Sequence, residues 1–476
     1  MAAPPASDED LHPHHPWHHT WLGTDRLLAR GLARPVARFL QIEAASGLML
    51  LAATLVALVW ANSPWKGGYA VFLEREIGIE VGSWHLALTT QEWINDGLMA
   101  IFFFVAGLEI KRELVKGELR DRKAAALPIL AALGGMIVPA LIYTLFNAGT
   151  ASSKGWGIPM ATDIAFAVGI VSLLGKRVPV ALKLFLLTLA VADDLGAIGV
   201  IAVFYSQSVH FAWMAAAVGM LVIVYLLRRA KVWYTPIYVV LGVITWYFTL
   251  RSGIHATVAG VALGFLTPTE ALRPDLDAEA IADRLENQPE LTAEDVRAAT
   301  FLINESVPVG ERLVDRLLPW SGYVIIPIFA LANAGIPLSS EALRAAASST
   351  VTWGVGLGLV VGKTIGVMGM SLLAIKLGIA RWPRGATKLH LLGISMAAGI
   401  GFTVALFVTG LAFDNPIFTD EAKVGILAAS AVAAVASALV LRLAASRVDP
   451  TELEIEAEED AELFAPTVKA QVLQVD

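Results

Sequence analysis

Four ionisable residues lie inside long apolar stretches of this sequence: Asp163, the adjacent pair Asp193 and Asp194, and Lys363. A charge at the centre of a membrane-spanning helix costs about 2.5–3.5 kcal/mol on insertion scales, so a chain that carries four such charges gains function from them. Three carboxylates against one ammonium leave an excess of negative charge. A network that only locked helices together would be expected to balance. These residue types therefore favour a site that binds a mobile cation and protons.

Asp193 and Asp194 cannot point in the same direction, because neighbouring positions on an α-helix are about 100° apart. One carboxylate can face a cation site while the other faces a partner on a neighbouring helix. Lys363 is the basic residue placed deep enough to be that partner. The two carboxyls should titrate as one coupled unit, so sodium and protons compete for the same oxygens. Competition of this kind is the basis of cation/proton exchange.

The composition places these charges in a membrane. Of the 476 residues, 56% are hydrophobic and only 16% are charged, and the mean hydropathy is +0.65. A soluble core cannot bury so much apolar surface, so the lipid bilayer is the expected partner. Residues 1–35 lack the apolar stretch of a secretory signal, so the first span is expected to be a permanent helix. The sequence has no cysteine, which excludes disulfides and thiolate metal sites.

Long apolar runs predict an all-α polytopic membrane protein with about twelve transmembrane helices. Lys and Arg cluster in alternate connections, for example from Lys116 to Lys123 and from Lys376 to Lys388. Cytoplasmic loops collect basic residues, so both termini are expected in the cytoplasm. The predicted spans are 40–62, 94–115, 124–147, 157–175, 179–206, 210–228, 233–250, 254–268, 320–337, 351–375, 389–412 and 422–445.

Three polar regions flank or interrupt these spans. Residues 1–35 form a His- and Pro-rich tail, 269–318 an acidic cytoplasmic loop with short helical pieces, and 446–476 an acidic tail. Such segments bury little apolar surface, so we expect the two tails to be disordered. Weak metal binding is the alternative for the histidines of the first tail, and we assign no chemistry to the acidic segments. The chain between the tails, 36–445, is expected to form one membrane domain.

An internal repeat predicts two interrupted helices. Gly157–Val168 matches Gly393–Val404 at seven of twelve positions, with a constant offset of 236. The loop charges place the two copies in opposite orientations, which is the pattern of inverted-topology transporters. Polar or glycine residues interrupt each copy midway. We therefore predict two broken, crossing helices, 157–175 and 389–412, with a site between the two repeats.

Short motifs occur in a fixed order between about residues 36 and 445. They are Ile94–Ala100, Gly107–Leu114, Ala161–Phe166, Asp193–Ile198, Ser252–Thr257, Phe329–Gly335, Gly362–Lys363 and Gly399–Thr403. Together they resemble the NhaA family of sodium/proton antiporters, itself a known example of inverted repeats and broken helices. The resemblance implies a bacterial inner-membrane fold of twelve helices, the fourth and eleventh broken. It also implies electrogenic expulsion of Na⁺ or Li⁺ in exchange for entering protons. We expect no cofactor, no nucleic-acid partner and no enzymatic activity.

The resemblance further implies a role for each buried charge. Asp193 and Asp194 would carry the ion and the protons, with Thr162 near the cation. Asp163 and Lys363 would compensate the charges at the ends of the crossed helices. Lys363 would pair with Asp193 until sodium or a proton intervenes.

Members of this family are switched on at alkaline pH, and Glu109, Glu113 and His255 match residues of that regulation. Another interpretation stays open, because the two glutamates lie beside basic residues at a membrane interface, where charge costs little. His255 is equally compatible with helix packing. Where family members carry a glutamate, this chain has Val314, which leaves the pH set-point open.

The long connection 63–93 is expected on the outer side of the membrane. Val71–Leu73 and Ile77–Val81 are predicted to pair in it as a short hairpin. The resemblance implies homodimerisation through this loop.

Other functional classes can be weighed against exchange. An intramembrane aspartyl protease needs aspartates on separate helices in Tyr-Asp and Gly-x-Gly-Asp contexts, and neither context occurs here. A buried carboxylate paired with lysine would obstruct an open cation channel. Another monovalent-cation/proton transporter is the closest alternative.

Overall fold

The computed structural model describes residues 45–81, 84–174, 178–206, 209–232, 235–270 and 292–447. The predicted N-terminal tail, 1–35, lies outside the described residues. So do all but the first two residues of the predicted tail 446–476, and the part of the acidic loop from 271 to 291.

Helices make up almost all of the described structure, with one hairpin before the second long apolar helix. The N-terminal half comprises α1 (Ala45–Asn62), α2 (Lys66–Glu74), β1 (Glu76–Val81), β2 (Trp84–Thr89), α3 (Thr90–Val115), α4 (Arg122–Asn147), a 3₁₀ helix at Ser153–Met160 (the 3₁₀ segment), α5 (Ile164–Ser172), α6 (Val180–Phe204), α7 (Phe211–Arg229), α8 (Thr235–Arg251) and α9 (Thr257–Leu266). The C-terminal half comprises α10 (Ala293–Ser306), α11 (Val309–Asn333), α12 (Ser340–Ser348), α13 (Thr350–Lys376), α14 (Lys388–Ala397), α15 (Phe402–Ala412) and α16 (Pro416–Ala445).

The apolar helices confirm an all-α polytopic membrane protein. Among the described residues, 9 helical stretches are long and apolar enough to cross a membrane, and the bent pair α14 and α15 makes a tenth. Two further apolar helices, α8 and α9, occupy the seventh and eighth predicted spans but are shorter. The number twelve and the inverted repeat therefore stay predictions.

Two helical stretches are interrupted where the sequence repeat predicts it. Residues 161–163 separate the 3₁₀ segment from α5, and 398–401 separate α14 from α15 with a bend of 43°. The two interruptions touch, because the Asp163 amide donates to the Ile400 carbonyl at 2.6 Å. Gly401 allows this approach, since a Cβ there would lie 3.0 Å from the Ala161 carbonyl oxygen.

Helix α13, which carries Lys363, lies directly against α4. A Cβ on Gly366 would be 2.6 Å from the Gly134 carbonyl carbon, so the two backbones are in contact. Small residues at such positions let membrane helices pack closely. A π-helical turn, Gly358–Gly362, ends immediately before Lys363. Turns of this kind recur at functional sites.

The ninth predicted span begins earlier than the sequence suggested. Helix α11 starts at Val309 and not near residue 320. Its first three turns contain Glu311, Arg312 and Asp315, and these charges hide the apolar face from a simple count of apolar residues. The predicted loop 269–318 therefore ends in helix, and α10 supplies the helical piece that was predicted within it.

A hairpin is present in the connection 63–93, but the predicted pairing of its strands is wrong. β1 pairs with β2 in antiparallel register, with Ile77 opposite Leu88. Val71–Leu73 belongs instead to α2, where Tyr69 and Leu73, four residues apart, form the buried face.

Candidate functional site

The Thr162 hydroxyl lies at the centre of the contact between the two interruptions. Its oxygen is 2.8 Å from Asp193 Oδ2 and 2.9 Å from the Ala398 carbonyl oxygen. A hydroxyl has one proton, so it can donate to only one of these acceptors at a time. The Lys363 ammonium donates to the same hydroxyl at 3.0 Å. We call Thr162, Asp193, Asp194 and Lys363 the Thr162 cluster.

Lys363 and Asp193 form an ion pair in which both side chains are fully buried. The two residues come from different helices, α13 and α6, and the contact is made by Asp193 Oδ2. A Cβ on Gly135 of α4 would lie 2.9 Å from Val367 Cγ2, one turn after Lys363 on α13, so a glycine lets the two helices pack closely next to the lysine. The structure thus brings together an acid and the base that the sequence analysis expected to be its partner.

Two carboxylate oxygens in the cluster are buried without a hydrogen-bond partner in the part of the chain that the structure describes. They are Asp193 Oδ1 and Asp194 Oδ1. A buried acceptor left unsatisfied costs about 1–3 kcal/mol, and more when it is charged. A proton or a hard cation with oxygen ligands would remove that cost. Adjacent carboxylates and a hydroxyl are oxygen ligands of the kind that such a cation prefers.

No group of three or more His, Asp and Glu residues with metal-binding geometry occurs among the described residues. With both carboxylates and the ammonium of the Thr162 cluster ionised, two negative charges and one positive charge leave a net charge of −1, which one monovalent cation neutralises.

Asp163 is next to the Thr162 cluster but has different partners. Its Oδ1 accepts from the Phe166 amide at 3.0 Å, which caps α5. Its Oδ2 accepts from the Thr403 amide at 3.0 Å and the Thr403 hydroxyl at 2.7 Å, at the start of α15. One carboxylate therefore serves two helix N-termini, where negative charge is favourable. Its oxygens are used in capping, so Asp163 is a poor candidate for a cation ligand.

Glu109 and Glu113 lie one turn apart on α3, and both are half-buried. Glu113 contributes to an open cleft of about 590 Å³, together with Lys116, Arg120 and Asp121. The Lys116 ammonium forms an ion pair with the carboxylate of Glu311 on α11, with 2.9 Å between Nζ and Oε1.

Val314, at the position where the family carries a glutamate, is buried on the same helix α11. Its side chain cannot ionise, so it adds no pH-dependent charge to this face of α11.

His255 lies in the turn between α8 and α9. Its Nε2 is 2.8 Å from the carbonyl oxygen of Tyr205, the C-cap residue that follows Phe204 at the end of α6. His255 is therefore attached to the helix that carries Asp193 and Asp194, at its far end. The histidine has a satisfied partner, as the packing interpretation expects.

Sequence reasoning missed two residues that hold the interruptions together. The Thr403 hydroxyl donates to Asp163 at the start of α15. The sequence did contain a signal for this residue, because Thr403 ends the motif Gly399–Thr403. Tyr205 bonds the 3₁₀ segment through its hydroxyl. A single tyrosine at the end of a span gives no signal that distinguishes it from an ordinary interfacial aromatic residue.

Buried carboxylates and a lysine at the meeting point of two interrupted apolar helices define a membrane transport protein, and comparison with known proteins agrees. The Na⁺/H⁺ antiporter 1 family matches residues 37–441. The chain is 43% identical over 417 residues to Na(+)/H(+) antiporter NhaA 3 of Frankia alni, covering 88% of this chain and 90% of that protein. It is 47% identical over 424 residues to NhaA 2 of Myxococcus xanthus, covering 87% and 90%. It is 47% identical over 411 residues to NhaA of Rhodopirellula baltica, covering 85% and 92%.

The chain therefore belongs to the NhaA family of Na⁺/H⁺ antiporters. The resemblance found in the sequence motifs is confirmed over most of the chain. Membership of this family makes the protein a multi-pass membrane transporter, which agrees with its apolar helices.

Proposed function

We propose that this protein exchanges intracellular Na⁺ or Li⁺ for external H⁺, electrogenically and by alternating access, with cation and protons competing for Asp193 and Asp194. The observation that carries the proposal is the pair of buried, unpartnered carboxylate oxygens on these adjacent residues. A third charge, the Lys363 ammonium, already occupies the other oxygen of Asp193. A cation that enters must therefore displace either a proton or the ammonium.

The exchange follows from the charges of the Thr162 cluster. Asp194, the free oxygen of Asp193 and the Thr162 hydroxyl supply oxygen ligands for Na⁺. Na⁺ bound by both carboxylates replaces the proton held on Asp194 and weakens the attraction of Asp193 for the Lys363 ammonium, which can then release a second proton. If two protons leave for each Na⁺ bound, one net charge crosses the membrane per cycle. Such exchange responds to the membrane potential.

The proposed setting is a bacterial inner membrane with both termini in the cytoplasm, since the basic loops favour that orientation. Twelve spans result if the shorter helices α8 and α9 also cross. The inverted repeat is supported by the starts of α6 at Val180 and α16 at Pro416, which are 236 residues apart.

We assign pH regulation to Glu109, Glu113 and His255. Glu113 lines the charged cleft, Glu109 lies one turn before it on α3, and His255 contacts the end of α6. Protonation of either glutamate changes the charge on α3. Protonation of His255 changes the charge beside the end of α6, the helix that carries Asp193 and Asp194.

A homodimer through the connection 63–93 is proposed on the form of its hairpin. Among the described residues β1 pairs with β2 alone, so the outer edge of each strand lacks a further strand. Such edges readily add strands from a second copy.

Everted membrane vesicles test the proposed exchange. Addition of Na⁺ should collapse a preformed pH gradient, and Asp194→Asn should abolish the response. A matched control is Asp295→Asn, which removes a carboxylate from the exposed helix α10 and should leave the response intact. Normal gradient collapse by Asp194→Asn would overturn the assignment.

A further inference from the structure

The 3₁₀ segment, Ser153–Met160, has an unusual conformation for a stretch of 8 residues. Runs of 3₁₀ helix longer than about 3–4 residues are uncommon, because their hydrogen bonds are poorer than those of an α-helix. The segment leads within two residues to Thr162. Its position therefore sets the position of the Thr162 hydroxyl, and it must be fixed by groups outside itself.

Tyr205 provides such a group through a hydroxyl that makes two hydrogen bonds. It accepts from the Gly157 amide at 2.9 Å and donates to the Lys154 carbonyl at 2.7 Å. The tyrosine is 6% exposed. Its ring lies so close that a Cβ on Gly157 would be 2.9 Å from Tyr205 Cε2. Both the donor and the acceptor capacity of the hydroxyl are thus used on one segment.

The same helix holds this segment at both ends. Tyr205 is the C-cap residue of α6, and Asp193 lies earlier on α6, where it bonds Thr162. The chain from Lys154 to Thr162 is therefore attached to α6 near its start and just beyond its finish. His255 adds a further restraint, because its imidazole bonds the Tyr205 carbonyl at 2.8 Å.

We propose that Tyr205 is a positioning residue for the cation site, which holds the 3₁₀ segment on α6 so that the Thr162 hydroxyl meets Asp193. The inference rests on the proposed roles of Thr162 and Asp193. Without the hydroxyl, the Gly157 amide and the Lys154 carbonyl lose a buried partner. The segment then shifts relative to α6, and the oxygen that Thr162 offers to Na⁺ moves with it.

Exchange kinetics of Tyr205→Phe in everted vesicles test this role. We expect the apparent KM for Na⁺ and for Li⁺ to rise about fivefold, the effect of losing roughly one net hydrogen bond. The maximal rate at saturating cation should stay within about twofold, because no group that binds the ion is removed. An unchanged KM would overturn the proposal.

The matched control is Tyr143→Phe. Tyr143 lies on α4 and donates its hydroxyl to the Ser152 carbonyl at 2.8 Å, just before the 3₁₀ segment. The Tyr143→Phe variant lacks one buried hydroxyl next to the same segment but keeps both hydrogen bonds of Tyr205. Its KM for Na⁺ should therefore stay near the wild-type value. An equal rise in KM would show that general loosening of the segment controls the site, and would overturn the specific role of Tyr205.

A double-mutant cycle with Thr162→Ala tests the route of the effect. If Tyr205 acts through Thr162, adding Tyr205→Phe to Thr162→Ala should change the KM no further. Additive increases would contradict the proposal. Should Thr162→Ala exchange too slowly to measure, the Na⁺ concentration that half-maximally raises the Tm of the purified protein replaces KM.

The Tm without cation shows that each variant is folded. If the wild-type protein exchanges Na⁺ and Tyr205→Phe has the wild-type KM, the inference about Tyr205 is refuted while the proposed function stands. Wild-type protein without Na⁺-dependent exchange would refute the proposed function itself.

Discussion

The Thr162 hydroxyl lies 2.9 Å from the carbonyl oxygen of Ala398, and these two residues are 236 positions apart. This separation is the offset of the repeat found in the sequence. The contact therefore joins equivalent positions of the two repeats, as is expected where paired interruptions meet near a pseudo-twofold axis. The cation site proposed for the Thr162 cluster lies beside that contact, with its acids on α6 and its base on α13.

Lys363→Ala should remove the voltage dependence of exchange and destabilise the protein. The variant leaves the fully buried Asp193 carboxylate without its cationic partner. Loss of one member of a buried pair costs about 3–5 kcal/mol. Exchange rates in vesicles with imposed membrane potentials, together with thermal unfolding of the purified variant, measure the two effects.

Lys423→Ala is the matched control for Lys363→Ala. It removes another buried lysine, 9% exposed, from helix α16. Its exchange should keep the wild-type dependence on voltage. Voltage-driven exchange that survives in Lys363→Ala would show that Lys363 is structural and carries no proton.

Asp163→Asn should weaken the fold more than it weakens cation binding. The carboxylate accepts from the start of α5 and from the start of α15, and an amide offers one acceptor oxygen in place of two. Loss of a cap and of a favourable charge at a helix N-terminus costs about 1–2 kcal/mol. Thermal unfolding should show this loss, while the Na⁺ dependence of the Tm shift stays near that of the wild type. Abolished Na⁺ binding with an unchanged Tm would instead make Asp163 a cation ligand.

The sequence was sufficient to locate the charged residues of the cluster and the two interruptions. Asp193, Asp194 and Lys363 stand out because a charge is rare in an apolar run, and the repeat makes the interruptions visible. Tyr205 was not predictable, because its importance depends on the 3₁₀ conformation of a distant segment. That conformation is set by tertiary hydrogen bonds, which local residue preferences do not encode.

The start of α11 was missed for a related physical reason. Where a helix extends out of the membrane, charged residues replace apolar residues on its water-exposed face, and the buried face stays apolar. Val314 stays buried there while Glu311 reaches Lys116. Counting apolar residues places the start of such a helix too late, whereas a test for periodicity would have extended it back toward Val309.

Strongly alkaline pH should loosen the contact between α2 and α11 through Tyr69. Its hydroxyl donates to the Leu331 carbonyl at 2.8 Å, and burial raises the pKa of Tyr69 to about 12. An acid whose pKa is higher in the folded than in the unfolded state stabilises the fold fully below the unfolded value, near 10. This contribution is lost as the pH rises from about 10 to about 12.

Tyr69→Phe isolates that contribution. The variant should be less stable than the wild type at pH 8, because the hydrogen bond is gone. The difference in unfolding free energy should shrink between pH 10 and pH 12, the interval set by the Tyr69 pKa. A difference that stays constant over this interval would show that Tyr69 ionisation does not affect the fold.

Gly366→Ala should change the position of Lys363 relative to Asp193. A Cβ at this position would lie 2.6 Å from the Gly134 carbonyl carbon, so α13 would have to move away from α4. Overpacking of this kind costs about 1–3 kcal/mol, and the shift would also carry Lys363 away from Asp193. We expect a lower Tm and a changed KM for Na⁺.

Gly369, three residues further along α13, provides the control. No heavy atom lies within 4 Å of a Cβ built there. Gly369→Ala should therefore leave Na⁺ exchange unchanged and raise the stability by about 0.5–1 kcal/mol, the helix preference of alanine over glycine. If both substitutions gave the same Tm and KM, close packing of α13 on α4 would have no part in placing Lys363. If Gly366→Ala alone lowers the Tm and changes the KM, the glycine contact is what sets the distance between the lysine and its aspartate.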